Sequence, residues 1–330
     1  MRRLKEAGFP KGFVQRVLLP DWWSEECTRD PALLPEIQVR VARFLGIPLS
    51  EVQAGRLNLA SDEWRDVRLR LRRDVERNHI APAIHAAIRI ADAVVRNLRE
   101  DVPDPDPPPT DALTWRQHFT GEHEAPELEH IVGDLWGRGI PVVPLETMPS
   151  PGFQGLACIV RDRPVILLGY KYDEPVRLAF HVAHEAAHIA LGHCAAGRPV
   201  VDEEIETAST EEGGPDWEAD ADRYSLLLLA GTTELPVLSA DNPRSLAEVA
   251  AREGRALGAD PGLLVFAWAH RTDDWPCARS ALEALYRHRG ARQKLRRSFE
   301  RHVDIGSASD TDYALLRCVA GGAASDEARS

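Results

Sequence analysis

Cysteine is scarce in this chain. Only Cys27, Cys158, Cys194, Cys277 and Cys318 occur in 330 residues, with no C-x-x-C pair among them. An odd, scattered set excludes a disulfide framework or a zinc knuckle, and it predicts reduced core thiols in a cytoplasmic protein. Long apolar runs are missing too: none approaches the ~20 residues that a membrane-spanning helix needs. The opening MRRLKEAGFPKGFVQ lacks the apolar stretch of a secretion signal. Aromatic residues make up only 6% of the chain, yet 44% of it is hydrophobic, enough for two or three folded, soluble domains. Positive charge is in deficit, the formal net charge being −12. Residues 1 to 100 carry 18 Lys/Arg against 14 Asp/Glu, and the rest carry 22 against 38. That balance excludes broad nucleic-acid affinity for the whole chain and leaves room for a basic N-terminal module.

Proline supplies the clearest internal boundary. Five of the ten residues from Asp101 to Thr110 are prolines, so 101–112 is expected as a stiff extended linker. Before it, residues 1–100 predict a helical domain. Ile37, Val41, Phe44 and Leu45 recur at helical spacing, as do Val67, Leu71 and Val75, and then Ile84, Ile88, Val94 and Val95. The stretch Gln38 to Val52, with its Leu45-Gly46 turn, is similar to the helix-turn-helix of phage-repressor-type regulators. Pro48 and the poor supply of Arg, Lys, Gln or Asn after it favour a plain helical bundle. The arginines between Arg65 and Arg77 alternate with acids and read as a salt-bridged solvated face. After the linker, Leu128, Ile131, Val132, Leu135 and Trp136 predict an amphipathic helix ended by Gly137 and Gly139. Three short strands follow, at 140–145, 155–160 and 165–168, the last two joined by a tight turn at Arg161-Asp162-Arg163. Helices return over 236–320, where Arg287 to Arg301 form a basic run suited to solvent or to an acidic partner. Residues 321–330 read as a disordered tail.

The densest chemistry lies at His184-Glu185-Ala186-Ala187-His188, an H-E-x-x-H sequence in an apolar, helix-compatible run. Histidines four apart share one helical face and can share one metal ion. Zinc suits them, because it accepts neutral imidazole nitrogens and keeps a water beside three protein ligands. Asp173-Glu174-Pro175 predicts the helix start, and Gly192, Gly197 and Pro199 its end. A helix apolar nearly all round is buried, and buried imidazoles and a carboxylate need a partner that a cation supplies.

The third ligand is not the one metzincins use. Six residues after His188 stands Cys194, and three after it stands Leu191, where those enzymes have histidine and glycine. His193 is one residue out of step and reads as a polar helix-end residue. The better segment is Trp217 to Leu229. At ~100° per residue, Glu218 and Asp222 fall about 40° apart on one face, with Asp220 roughly opposite. Glu218 is therefore the expected ligand and Asp222 the carboxylate that hydrogen-bonds a ligating histidine. Asp220 is the alternative third ligand in this acid-rich region.

Two motifs together, HEAAHIALGH at 184–193 and EADADRYSLLLL at 218–229, with the strand-rich lead-in, resemble the ImmA/IrrE family of zinc metallo-endopeptidases. The likeness covers roughly 113–235, and departs from the family pattern at Asp222 (Asn there), Tyr224 (Phe) and Ser225 (Ala). It implies an α+β, zincin-like metallopeptidase domain, a small sheet plus the H-E-x-x-H helix, flanked by N- and C-terminal helical domains. It also implies a protein substrate, a DNA-binding transcriptional repressor. In the expected mechanism zinc (Zn) is held by His184, His188 and Glu218, and Glu185 is the general base. Tyr170, Tyr172, His181 and Tyr224 are candidates to stabilise the transition state. The rival expectations are a transcription regulator whose N-terminal domain binds DNA and a module that keeps its metal without cleaving. The first requires residues 37–54 to present a basic recognition face.

Overall fold

The computed structural model describes residues 2–20, 22–24, 26–27, 30–57, 68–69, 77–119, 125–149, 153–169, 173–194, 200–202, 216–286 and 290–320. Several positions singled out above lie outside the described residues: Arg65 to Val67 and 70–76, Tyr170, Tyr172, Gly197, Pro199, the acidic stretch 203–215, Arg287, Arg289 and the tail 321–330. In chain order the elements are α1 (Arg2–Glu6), α2 (Lys11–Phe13, continued by a π turn Val14–Leu18), α3 (Leu34–Leu45), α4 (Leu49–Ala54), β1 (Arg68–Leu69), α5 (Arg77–Arg96), α6 (Ala112–Gln117), α7 (Leu128–Gly137), β2 (Val142–Leu145), β3 (Gly155–Val160), β4 (Arg163–Gly169), α8 (Pro175–Ala190), β5 (Val200–Asp202), α9 (Trp217–Ala230), α10 (Pro243–Leu257), α11 (Pro261–Thr272), α12 (Trp275–Leu285), α13 (Ala291–His302) and α14 (Asp310–Ala320).

The structure is mixed α+β and mostly helical around one small sheet of order β1-β5-β3-β4-β2. β3 and β4 form an antiparallel hairpin with Gly155 opposite Leu168 and Val160 opposite Arg163. Its turn is Arg161-Asp162, both at positive φ (51° and 61°), the two-residue geometry that matches the twist of the flanking strands. β2 joins β4 in parallel. β2 is an edge, where Pro144 breaks no second ladder. The buried run Pro164–Leu168 marks a strand covered on both faces; α5 and α8 both pack on β3 and β4.

One feature departs from expectation. Arg68–Leu69, placed by apolar spacing in a helical run, is a strand instead, pairing in parallel with Val200 and Val201. β3, the strand beneath the H-E-x-x-H helix, is paired on both sides, with β4 along its length and with β5 at Gly155, Leu156 and Ala157.

One apolar cluster runs from Leu4 in α1 through the sheet and α8 to Val319 in α14, and a second fills the space between α10, α11 and α12. The proline-rich segment holds no helix or strand and is laid down on the protein. Arg138 donates to Asp106 and Pro107 O, Arg163 donates to Pro103 O, and Tyr224 Oη donates to Pro109 O at 2.5 Å. Residues before and after the sheet also meet directly through a Leu98–Val303 bridge and an Arg96–Asp312 ion pair.

α3 and α4 do form a two-helix unit around Gly46, which takes a left-handed φ of 68°. α4 carries no lysine or arginine, and its one acid, Glu51, is paired with Arg56. The basic recognition face that DNA binding requires is therefore absent from α4. No helix among the described residues is long and apolar enough to cross a membrane.

Candidate metal centre

α8 positions the first two candidate ligands. Pro175 occupies its first turn, and the helix runs to Ala190, beyond which Gly192, at a φ of 72°, turns the chain back. Ala179, Ala183, Ala186, Ala187 and Ala190 are all buried. Such small side chains let α8 lie close against β3, β4, α7 and α9. The consequence is that His184, Glu185 and His188 are sealed in, at 1%, 0% and 0% exposure.

α9 brings the third. Asp216 caps it by accepting from Ala219 N, which sets Glu218 in the first turn facing α8. His184 Nε2 lies 3.1 Å from His188 Nε2 and 3.2 Å from Glu218 Oε2. His188 Nε2 lies 3.6 Å from Glu218 Oε1. These three side chains form a group that could hold a metal ion. Asp220 is not part of that group. Its charge acts on His193, whose pKa is lowered by burial against the raising effect of Asp220 and then Glu218.

The donor chemistry fits a cation. His184 Nδ1 lies 3.0 Å from Asp222 Oδ1; the carboxylate can only accept, so Nδ1 carries the proton. The Nε2 of a neutral His184 then has a bare lone pair, and it points at a carboxylate oxygen and a second imidazole nitrogen. A proton on Nε2 would satisfy only one of the two. A cation among them satisfies all three, and donor separations of 3.1 to 3.6 Å bracket the tetrahedral edge of about 3.3 Å implied by zinc bonds of ~2.0–2.1 Å. His188 suits the role as well. Burial, reinforced by the nearby His184 and His193, drops its pKa to about 2, so its imidazole is neutral.

Glu185, next to the first of these histidines on α8, lies against the sheet. A Cβ at Gly155 of β3 would sit 2.1 Å from Glu185 Oε1 and within 3 Å of Cδ and Cγ. Gly155 is thus the floor on which this carboxylate lies, a role its ordinary strand conformation does not announce. Cys158 and Cys194 border the same carboxylate, and burial, with the negative charge of Glu185 contributing, raises both thiols. Cys194, which stands at the metzincin ligand position, is accordingly a thiol and lies outside the ligand group.

The candidates for the transition state separate clearly. Tyr224 is buried, its hydroxyl is committed to Pro109 O, and burial raises its pKa; it belongs to the packing. His181 lies on α8 one turn before His184, buried and edge-on to Phe180. His193, expected only as a helix-end residue, has its Nδ1 2.9 Å from His188 Nδ1 and its ring stacked flat on Trp217. No family model matches the chain, and no curated protein or solved structure does either.

Proposed function

We propose that this chain is a zinc-dependent endopeptidase that hydrolyses a peptide bond in a specific protein substrate, a DNA-binding transcriptional repressor. The observation that carries the reading is the convergence of His184 Nε2, His188 Nε2 and Glu218 on one point with lone pairs inward. A zinc ion held by His184, His188 and Glu218 would supply Lewis-acid polarisation of a carbonyl and a more acidic water. Asp222 holds His184 in the tautomer that leaves Nε2 bare. Glu185, next to the first ligand on α8, takes a proton from water and returns it to the leaving amine, work usually worth ~10²–10⁴-fold in rate. Its carboxylate is fully buried over Gly155, so it keeps one orientation. Among the described residues His181 is the candidate donor to the developing oxyanion, Tyr170 and Tyr172 lying outside them. The substrate class rests on the resemblance of the two motifs to the ImmA/IrrE family. The DNA-binding regulator reading has less support, since α4 offers no basic side chain.

The test pairs wild type with Glu185→Gln, both zinc-loaded, against a panel of repressors that includes the one encoded nearest this gene, read by intact mass. A single cut by wild type and none by the variant, with equal zinc content, is expected. Equal cutting by both removes Glu185 from the mechanism. No cutting by wild type with zinc bound would turn the reading toward a metal-holding regulatory module.

A further inference from the structure

The two candidate histidine ligands are supported differently. His184 is held at Nδ1 by the carboxylate of Asp222 on α9. Among the described residues, the partner at His188 Nδ1 is a third imidazole, that of His193, at 2.9 Å. The local backbone explains how a residue so close in sequence reaches back. α8 ends at Ala190 with Leu191 as its C-cap, Gly192 takes a left-handed φ of 72°, and His193 N donates to His188 O at 2.8 Å. That reversal folds the His193 side chain over the last turn of the helix. The ring is then fixed from outside: it lies on Trp217 with centroids 4.8 Å apart and planes 4° from parallel. Trp217 is the first residue of α9 and precedes Glu218.

We propose that His193 is a positioning residue of the metal centre: its Nδ1 accepts the proton of His188 Nδ1 and holds the His188 ring with Nε2 bare and aimed at Glu218 and His184. The stack on Trp217 ties that hydrogen bond to the start of the helix carrying the third ligand, so one imidazole registers the end of α8 against the beginning of α9. Two nitrogens 2.9 Å apart need one proton between them. If His188 offers its Nε2 lone pair inward, the proton is on its own Nδ1 and His193 is the acceptor. The inference rests on reading His184, His188 and Glu218 as a zinc site, and it concerns affinity for the ion, not the fate of a substrate.

Two substitutions divide the role. His193→Phe keeps an aromatic ring for Trp217 but has no acceptor; His193→Asn keeps an acceptor oxygen near the Nδ1 position but has no ring. Zinc affinity is measured for both and for wild type by competition with a chromophoric chelator, with apo-protein thermal unfolding recorded alongside. His193→Phe is expected to bind zinc roughly 10–100-fold more weakly, the scale on which partners of ligating histidines act, and His193→Asn within about threefold of wild type. Wild-type affinity in His193→Phe overturns the proposal. So does an Asn variant as weak as the Phe variant, which would show that an acceptor at this position does not keep the ion. Nitrogen-15 spectra of zinc-loaded wild type supply a check independent of either variant's folding: His188 must be protonated at Nδ1 and His193 bare there, and the reverse pattern refutes the assignment. Failure of wild type itself to bind zinc would strike the metal reading first, which distinguishes the two failures.

Discussion

Gly155→Ala tests the packing of the proposed general base without any substrate. In an interior strand this change ordinarily helps, by about 0.5–1 kcal/mol, because alanine loses less backbone entropy on folding. At position 155 the added Cβ would lie 2.1 Å from Glu185 Oε1, 2.8 Å from Cδ and 2.9 Å from Cγ. Ordinary contact begins near 3.4 Å, so the carboxylate would have to retreat by about 1.3 Å. It is completely buried, and β3 is held by β4 and β5 on either side, so neither partner can move freely. Overpacking of this kind costs ~1–3 kcal/mol. The sign of the effect is therefore reversed, and the reversal has one cause. Glu185→Ala removes all three of the clashing atoms, so in that background Gly155→Ala should return to neutral or mildly stabilising. The coupling in the double-mutant cycle should reach roughly 2–3 kcal/mol. Urea denaturation of the four zinc-free proteins, with m-values compared to guard against a changed denatured state, measures it. An equal cost of Gly155→Ala with and without Glu185 would show that the carboxylate does not rest on this glycine. Under the proposed function, the same displacement should lower turnover of the zinc-loaded protein by about 10²-fold, the penalty for a misplacement near 1 Å.

The third ligand separates by chelator competition: Glu218→Gln should weaken zinc far more than Asp220→Asn, and the reverse order would exclude the geometry described above. Metal analysis of zinc-replete wild type should give one equivalent per chain, and less than about 0.2 would exclude the site. Tyr224→Phe should cost about 1–2 kcal/mol in stability, by leaving Pro109 O without its donor, with unchanged zinc affinity; lost zinc would return Tyr224 to the site. His85 gives a pH dependence. Burial holds its pKa down to about 4 from 6.5, against the raising effect of its bond to Phe44 O. As pH falls from 6.5 to about 4 the unfolded chain takes up a proton that the native state refuses. Stability present above pH 6.5 should therefore fall by about 3 kcal/mol across that window. His85→Gln should remove this slope, and parallel stability curves for variant and wild type would contradict it.

Much of the site was legible because it follows helical geometry. The i, i+4 spacing of His184 and His188 and of Glu218 and Asp222 places each pair on one face, and both pairs converge as that spacing requires. The β3–β4 hairpin and the end of α8 at Gly192 were readable from local turn chemistry for the same reason. What escaped is set by partners remote in sequence. Asp173 looked like the cap of α8, but its carboxylate accepts from Gly290 N and Arg292 N at the start of α13, and α8 begins without a side-chain cap. β1 and β5 are two and three residues long, too short to show a period, and exist through their pairing alone. Gly155 has no unusual backbone angle to reveal it, only a carboxylate overhead. His193 was placed at a helix end by its position, whereas the left-handed turn at Gly192 and the ring of Trp217 decide where its nitrogen goes.

The helix α9 is held unequally along its length. Its last turns are sunk in the core, with Leu228, Leu229 and Ala230 buried, Arg116 bonded to Leu228 O and Tyr224 to Pro109 O. Its first turn is half-exposed, secured by the Asp216 cap, the Trp217 stack and the contacts of Glu218 and Asp222 with α8. A ligand at the loosely held end couples ion occupancy to fraying, so the two become one local equilibrium. Amide protection along α9 should then split in two. The amides from Asp220 into the second turn should slow their exchange as zinc is added, while those of Leu228 to Ala230 answer only to unfolding of the whole protein.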